Sequence, residues 1–476
     1  MKLSAVFPLI LVAGITSACT DDPIQPEAER APAQASLVAD AAPGHVVEFR
    51  KGAPPEFAAE VAALGGTVAF VSEALGIARV EGLSGQAVAK LGRQRGVAMI
   101  YDDVRVHLAV APSYGAVEAL AAEPASVLNP ASGIGFSYQW NMRRIGAHTA
   151  WAAGHLGSPD VSIAILDTGI DYDGYDANGL VDLARSKSFI PGDDAIVAAA
   201  FPGRHPIDDL HGHGSNVASQ ASSRATIFAG VNSRTTLIGV KVLGYNGSGT
   251  LASILAGLVH AAEQGADVAN MSLGFRFGVS KIGNGPFVAL TNRAFNYAHR
   301  QGMIVVVSAG NDATNMDGAG VIFQAYCEAP HVICVSATGP TASANPFSGP
   351  WTNEDAGASY SNIGKQAVTV AAPGGTTSGY VASVCARHGI VEVEGKLYLT
   401  ICNQPPGFFV VTGYAGTSQA APHVAGLVAK LVEIHGRNNP AQVKHALLKS
   451  VDDLGPRGRD PVYGAGRINV ARALGL

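Results

Sequence analysis

The chain has 476 residues, of which 47% are hydrophobic and only 14% charged, with a formal net charge of −5. That length allows more than one domain and a large core. The sparse, slightly acidic charge gives no electrostatic footing for nucleic acid and fits a compact globular enzyme.

Lys2 precedes an apolar run over 3–15, followed by Thr16, Ser17 and Ala18. This pattern predicts an export signal over 1–18, cut after Ala18. The run is too short to span a bilayer, and no later stretch is long and apolar enough. Cys19 at the resulting amino terminus resembles a bacterial lipoprotein site, although Thr16 stands where such sites prefer leucine. Membrane attachment is expected only through a lipid on Cys19; the other reading is a plain secreted enzyme. Residues 19–44 lack a periodic apolar pattern and read as a flexible tether.

A small module is expected over 45–108. Its strands fall at 46–49, 68–71, 77–80 and 97–101, and its helices at 55–64 and 84–91. This β-α-β-β-α-β order matches a ferredoxin-like plait. Residues 109–137, rich in Ala, Ser, Pro and Gly, read as a linker where proteolysis is easiest.

From 138 to 476 the pattern alternates. Strands are expected at 161–166, 236–243, 267–271, 303–308, 332–336 and 367–371, and helices at 251–264, 287–300, 418–435 and 440–450. Alternation of this kind predicts an α/β domain with a mostly parallel sheet and helices on both faces. Function then belongs at the carboxyl ends of the strands, where Asp167, Asn311 and the loop after Met271 fall.

The residues at those ends carry chemistry. Residues 416–426 open as a Gly turn, place Ser418, and continue with helical periodicity through Leu427 and Leu431. Pro422 is expected in the first helical turn, where its missing N–H costs least. A lone serine there would be an ordinary N-cap. This one has partners: Asp167 ends a buried strand, and His213 sits between glycines at a loop-to-helix start. The order Asp, His, Ser suits a nucleophile, a base that takes its proton, and a carboxylate that fixes the base's tautomer.

Asp167-Thr168-Gly169, Gly212-His213-Gly214-Ser215 and Gly416-Thr417-Ser418 with Ala421-Pro422-His423 resemble the three signature blocks of the subtilisin-like serine proteases. The resemblance covers about 138–472. It departs at Asn216, where the family usually has a second histidine, and at Gln419, where it usually has methionine. It implies a serine endopeptidase with Asp167, His213 and Ser418 as triad and Asn311 as oxyanion donor. It also implies a peptide clamp formed by Gly247-Ser248-Gly249 and Ser272-Leu273-Gly274 through strand addition. The module at 45–108 resembles the inhibitory propeptide of such proteases, which makes it an intramolecular partner and the linker a self-processing site.

An α/β-hydrolase esterase needs G-x-S-x-G, and position 420 is Ala. A degenerate protease kept for binding would lack a reacting residue, and all four are present. No cofactor is required for the chemistry. The acidic loop Asp171, Asp173, Asp176 and Asp182 is a candidate structural calcium site or a solvated turn. His211 with His213 lacks companion ligands for a metal pair. His423 reads as a packed helix residue. Besides Cys19, the four cysteines Cys327, Cys334, Cys385 and Cys402 suit an exported domain with disulfides. Of three pairings, Cys327–Cys334 and Cys385–Cys402 each close a short loop. The second would staple a segment over 376–412 that is longer than the family usually has there. The expected partners are peptide or protein substrates, with the enzyme a monomer.

Overall fold

A computed structural model describes residues 41–108, 113–119, 127–275, 279–281, 284–318, 320, 322–323 and 326–476. The expected signal, Cys19 and most of the tether lie outside them.

The first module consists of β1 (Ala41–Phe49), α1 (Phe57–Ala63), β2 (Thr67–Ser72), β3 (Ile77–Glu81), α2 (Gly85–Leu91) and β4 (Val97–His107). Its antiparallel sheet runs β2-β3-β1-β4. The period of two sends Val47, Phe49, Ala78 and Val80 against Phe57, Val61 and Leu91 of the two helices. Val46, Ile77, Val104 and Val106 face the other way and join the core of the larger body. A sheet that is apolar on both faces needs two partners, and the second partner here is the rest of the chain. Pairing begins at Ala41, before the end of the expected tether.

The larger body contains β5 (Ser113–Ala119), β6 (Ser162–Asp167), α3 (His213–Ala221), β7 (Thr236–Lys241), β8 (Ser248–Thr250), α4 (Leu251–Glu263), β9 (Val268–Met271), α5 (Gly285–Arg300), β10 (Ile304–Ser308), β11 (Val332–Gly339), β12 (Val370–Pro373), β13 (Val381–Val384), β14 (Phe408–Tyr414) and α6 (Thr417–His435). The parallel strands lie in the order β12-β11-β10-β9-β6-β7. Two-residue edge strands complete an eight-stranded sheet. Ile163 and Ile165 pack with Val217 of α3 and Val424 of α6. Ala164 and Leu166 pack on the opposite face with Leu255 of α4 and Leu290 of α5. The chain passes from β6 to β7 on one side and then crosses to β9 on the other. The resulting crevice at the carboxyl ends is where an open α/β sheet binds ligands.

Two expectations need correction. The linker over 109–137 contains a strand: β5 pairs antiparallel with β14, with Ser113 opposite Gly413 and Ala119 opposite Phe408. Strand addition works through main-chain groups, so an Ala- and Ser-rich segment without side-chain pattern can still meet an open edge. Helix α6 starts at Thr417, which puts Pro422 in its second turn and not its first. The disulfides Cys327–Cys334 and Cys385–Cys402 are both present.

Candidate active site

Strand β6 ends in Asp167, which is fully buried and accepts from the Thr168 N–H at 2.8 Å. Its Oδ1 lies 2.8 Å from Nδ1 of His213, the first residue of α3. Gly212 before it has φ 100°, and a side chain at Gly214 would put Cβ 2.2 Å from the Gly169 carbonyl. Only glycines let the histidine turn press this closely on β6.

Asp209, missed in the sequence, organises that turn. Its Oδ1 accepts from Gly212 N at 2.9 Å, His211 N at 3.0 Å and Thr168 Oγ1 at 2.9 Å. Its Oδ2 accepts from Ser215 N at 2.8 Å and Ser215 Oγ at 2.7 Å, inside the first turn of α3. A carboxylate at that end also complements the helix dipole. An acidic residue shortly before a Gly-His-Gly block was the available signal, but its contacts are made in space.

Ser418 is the second residue of α6 and 4% exposed. Its hydroxyl donates to the Ser272 carbonyl at 3.2 Å, while His213 Nε2 is buried without a hydrogen-bond partner. The Asp167–His213 pair is therefore formed, whereas the Ser418 hydroxyl is bonded to Ser272 and not to His213. Tyr414 packs edge-on against the His213 ring, with centroids 5.5 Å apart.

Asn311 follows β10 and the tight turn at Gly310. Its Oδ1 accepts from the N–H and hydroxyl of Thr417, both at 2.9 Å. With the carbonyl end fixed, Nδ2 is left as the free end of an amide that lines a pocket with Ser418, Ser308 and Gly274. Such an amide can donate to a developing oxyanion.

The chain's own residues enter this pocket. Arg105, Val106 and His107 at the end of β4 pair antiparallel with Thr250, Gly249 and Ser248 of β8. Leu108 N then donates to Gly247 O at 2.9 Å, and Leu108 lines the pocket beside Ser418 and Asn311. Residues 247–250 are thus met by the chain's own residues 105–108. In the other segment, Leu273 and Gly274 line the pocket, whereas Ser272 is buried and bonded to Ser418 through both its oxygens.

The remaining candidates are dispersed. Asp171 and Asp173 are held by Arg204 and Arg387, whose guanidinium groups keep the Asp173 carboxyl well below its usual range. Asp176 accepts from the amides of Ile227 and Phe228, and burial raises it to about 7. Asp182 pairs with Arg185 at 2.7 Å. Among the described residues, Asp171, Asp208 and His388 come within mutual ligand reach. Arg204 and His388 take the carboxylate of Asp208. A loop whose acids are already bonded to arginines and amides does not fit calcium. His211 is pushed towards neutrality by burial, and its Nδ1 accepts from His213 N at 3.3 Å. His423 is enclosed in α6, as expected. The two departures meet: Gln419 Nε2 donates to Asn216 Oδ1 at 3.3 Å, and Asn216 holds Ser383 of β13 at 2.8 Å.

Residues 158–466 match the Subtilase family (peptidase S8). The chain belongs to the subtilases. It is 30% identical over 340 residues to the thermophilic serine proteinase of Bacillus sp. strain AK1, covering 71% of this chain and 67% of that protein. It is 28% identical to thermitase of Thermoactinomyces vulgaris, covering 71% and 96%. It spans less than half the length of some longer relatives, such as the minor extracellular protease Epr of Bacillus subtilis at 41%. In fold it resembles the epidermin leader peptide processing serine protease of Staphylococcus aureus, with TM-score 0.66 and 20% identity over 91% of this chain and 98% of that one. The subtilase is thus a serine endopeptidase, a hydrolase of peptide bonds. No helix among its described residues is long and apolar enough to cross a membrane.

Proposed function

We propose that this subtilase is an exported, self-processing endopeptidase whose first substrate is its own chain after Leu108. The observation that carries this reading is the seating of residues 105–108 against β8, with Leu108 in the pocket beside Ser418 and Asn311. Ser418 Oγ, turned from the Ser272 carbonyl to His213, would attack the Leu108 carbonyl carbon as Nε2 takes the hydroxyl proton. Asp167 would hold Nδ1 and stabilise the imidazolium, while Asn311 Nδ2 and the Ser418 N–H receive the oxyanion. Collapse breaks the Leu108–Ala109 bond, His213 returns the proton to the Ala109 nitrogen, and water then releases the acyl group.

Residues 45–108 would act as a ferredoxin-like inhibitory propeptide, leaving a product strand in the cleft. The catalytic steps use side chains and backbone alone, without a cofactor. Export rests on the signal over 1–18, and Cys19 is the position for a lipid anchor. A binding protein that had lost catalysis is not favoured, because every reacting residue is retained.

The test is Ser418→Ala. The variant should fold and accumulate with residues 45–108 attached, while wild type made identically loses them without added protease. Trimming of purified Ser418→Ala to the wild-type end, with no other protease present, would refute self-processing.

A further inference from the structure

Ser113 is the fifth residue after Leu108, and from there β5 runs along β14 to Ala119. The two strands are antiparallel. β14 leads towards Ser418, its Gly413 standing five residues before the nucleophile, so β5 runs away from the nucleophile as a leaving chain must. Resting on the reading that the bond after Leu108 is cut, we propose that the outer edge of β14 is a second binding site for substrate main chain. It takes an extended polypeptide strand beginning about five residues beyond the cut bond, and residues 113–119 are its first occupant.

Three features support a built edge. β14 has β13 on its inner side, with Val384 opposite Val411 and Ser383 opposite Thr412, and, among the described residues, only β5 on its outer side. The inner side is pinned at Val410, whose carbonyl accepts from Cys385 N at 3.0 Å and whose side chain packs on the Cys385–Cys402 pair. The disulfide thus braces the strand from behind. At its far end Phe408 is 46% exposed, which gives an apolar step to a chain leaving the edge.

The register is irregular between Val410 and Thr412, so the pairing imposes no strict side-chain alternation. Recognition by main-chain hydrogen bonds tolerates sequence but requires an extended ligand. The ligand class is therefore long, unfolded polypeptide, in preference to short peptides.

The test uses matured enzyme and three fluorogenic peptides, identical up to the cut bond and extending 3, 6 or 12 residues beyond it. The 12-residue extension should raise kcat/KM about tenfold over the 3-residue one, the worth of one or two net strand hydrogen bonds. N-methylation of the alternate amides that face β14 should abolish the gain, and methylation of the intervening amides should not. The series is run in parallel on Glu118→Pro, which removes the backbone amide opposite Phe409 and weakens the enzyme's own strand, so a retained β5 cannot mask the gain. Equal kcat/KM for all three lengths in both enzymes, or indifference to which amides are methylated, overturns the site. Failure to cleave even the shortest peptide would instead refute the catalytic reading, and the site with it.

Discussion

Ser272 Oγ donates to the Ser418 carbonyl at 2.6 Å, the acceptor that residue 422 would serve in an uninterrupted helix. Position 422 is proline and has no N–H to give. The end of β9 thus completes a hydrogen bond that α6 cannot make for itself, at the residue proposed as the nucleophile. Ser272→Ala should therefore cost about 1–3 kcal/mol of stability by leaving a buried carbonyl unpaired. It should also lower kcat more than it changes KM. Adding Pro422→Ala supplies an amide four residues on and should restore part of the loss. Thermal unfolding of the two single variants and the double one measures the coupling, and simple additivity would show that the two donors do not share this acceptor.

The grip of Thr417 on Asn311 predicts a graded pair of kinetic defects. Asn311→Ala should reduce kcat on the order of 10²- to 10³-fold with KM little changed, a range that comes from a subtilisin. Thr417→Val keeps the side-chain shape and the backbone donor but removes one of two bonds to Oδ1. Its kcat should fall about tenfold, as befits a looser amide. Equal defects in both variants would mean that Thr417 does more than orient Asn311.

Burial pushes His423 down from 6.5 to about 4. Near neutral pH it is uncharged, with Nδ1 at 2.7 Å from the Gln419 carbonyl and Nε2 at 2.8 Å from Asn141 Nδ2. Between those two values the unfolded chain binds the proton more tightly than the folded one. The contribution is therefore complete above pH 6.5 and lost as pH falls towards 4, up to ~3 kcal/mol. Urea titrations at pH 4.5 and 7 should show a smaller acid loss in His423→Gln than in wild type. Parallel losses would assign the acid sensitivity to other groups.

The strands of the parallel sheet and the four proposed reacting residues at their ends could be read because each lies in a local pattern: an apolar run ending in Asp167, glycines around His213, a Gly turn before Ser418. What was not legible depends on partners distant in sequence. Asp209 is one of many aspartates until the Gly212, Ser215 and Thr168 donors converge on it. The acids over 171–182 look like one cluster in sequence, yet Arg204, Arg387, Arg185 and two backbone amides draw them apart. β5 has no side-chain pattern to read because β14 recruits it through its main chain. Pro422 lies a turn later than the sequence suggests because the end of a helix is the least determinate feature of a periodic run. Asn216 and Gln419 each looked like a separate departure, and their mutual hydrogen bond makes them one compensated change.

The first module's sheet shelters Val46, Ile77, Val104 and Val106 against helices that belong to the peptidase, and Asp103, paired with Arg79 at 2.9 Å, accepts from Ala252 N at the head of α4. Severing the chain after Leu108 leaves that contact intact. Departure would wet an apolar face on each body and break the bond from Ala252 N to Asp103, so hydrolysis of the peptide bond and escape of the fragment are separate events with separate barriers. Onset of activity in this enzyme would then be timed by undocking, a dissociation rate tunable at residues far from Ser418.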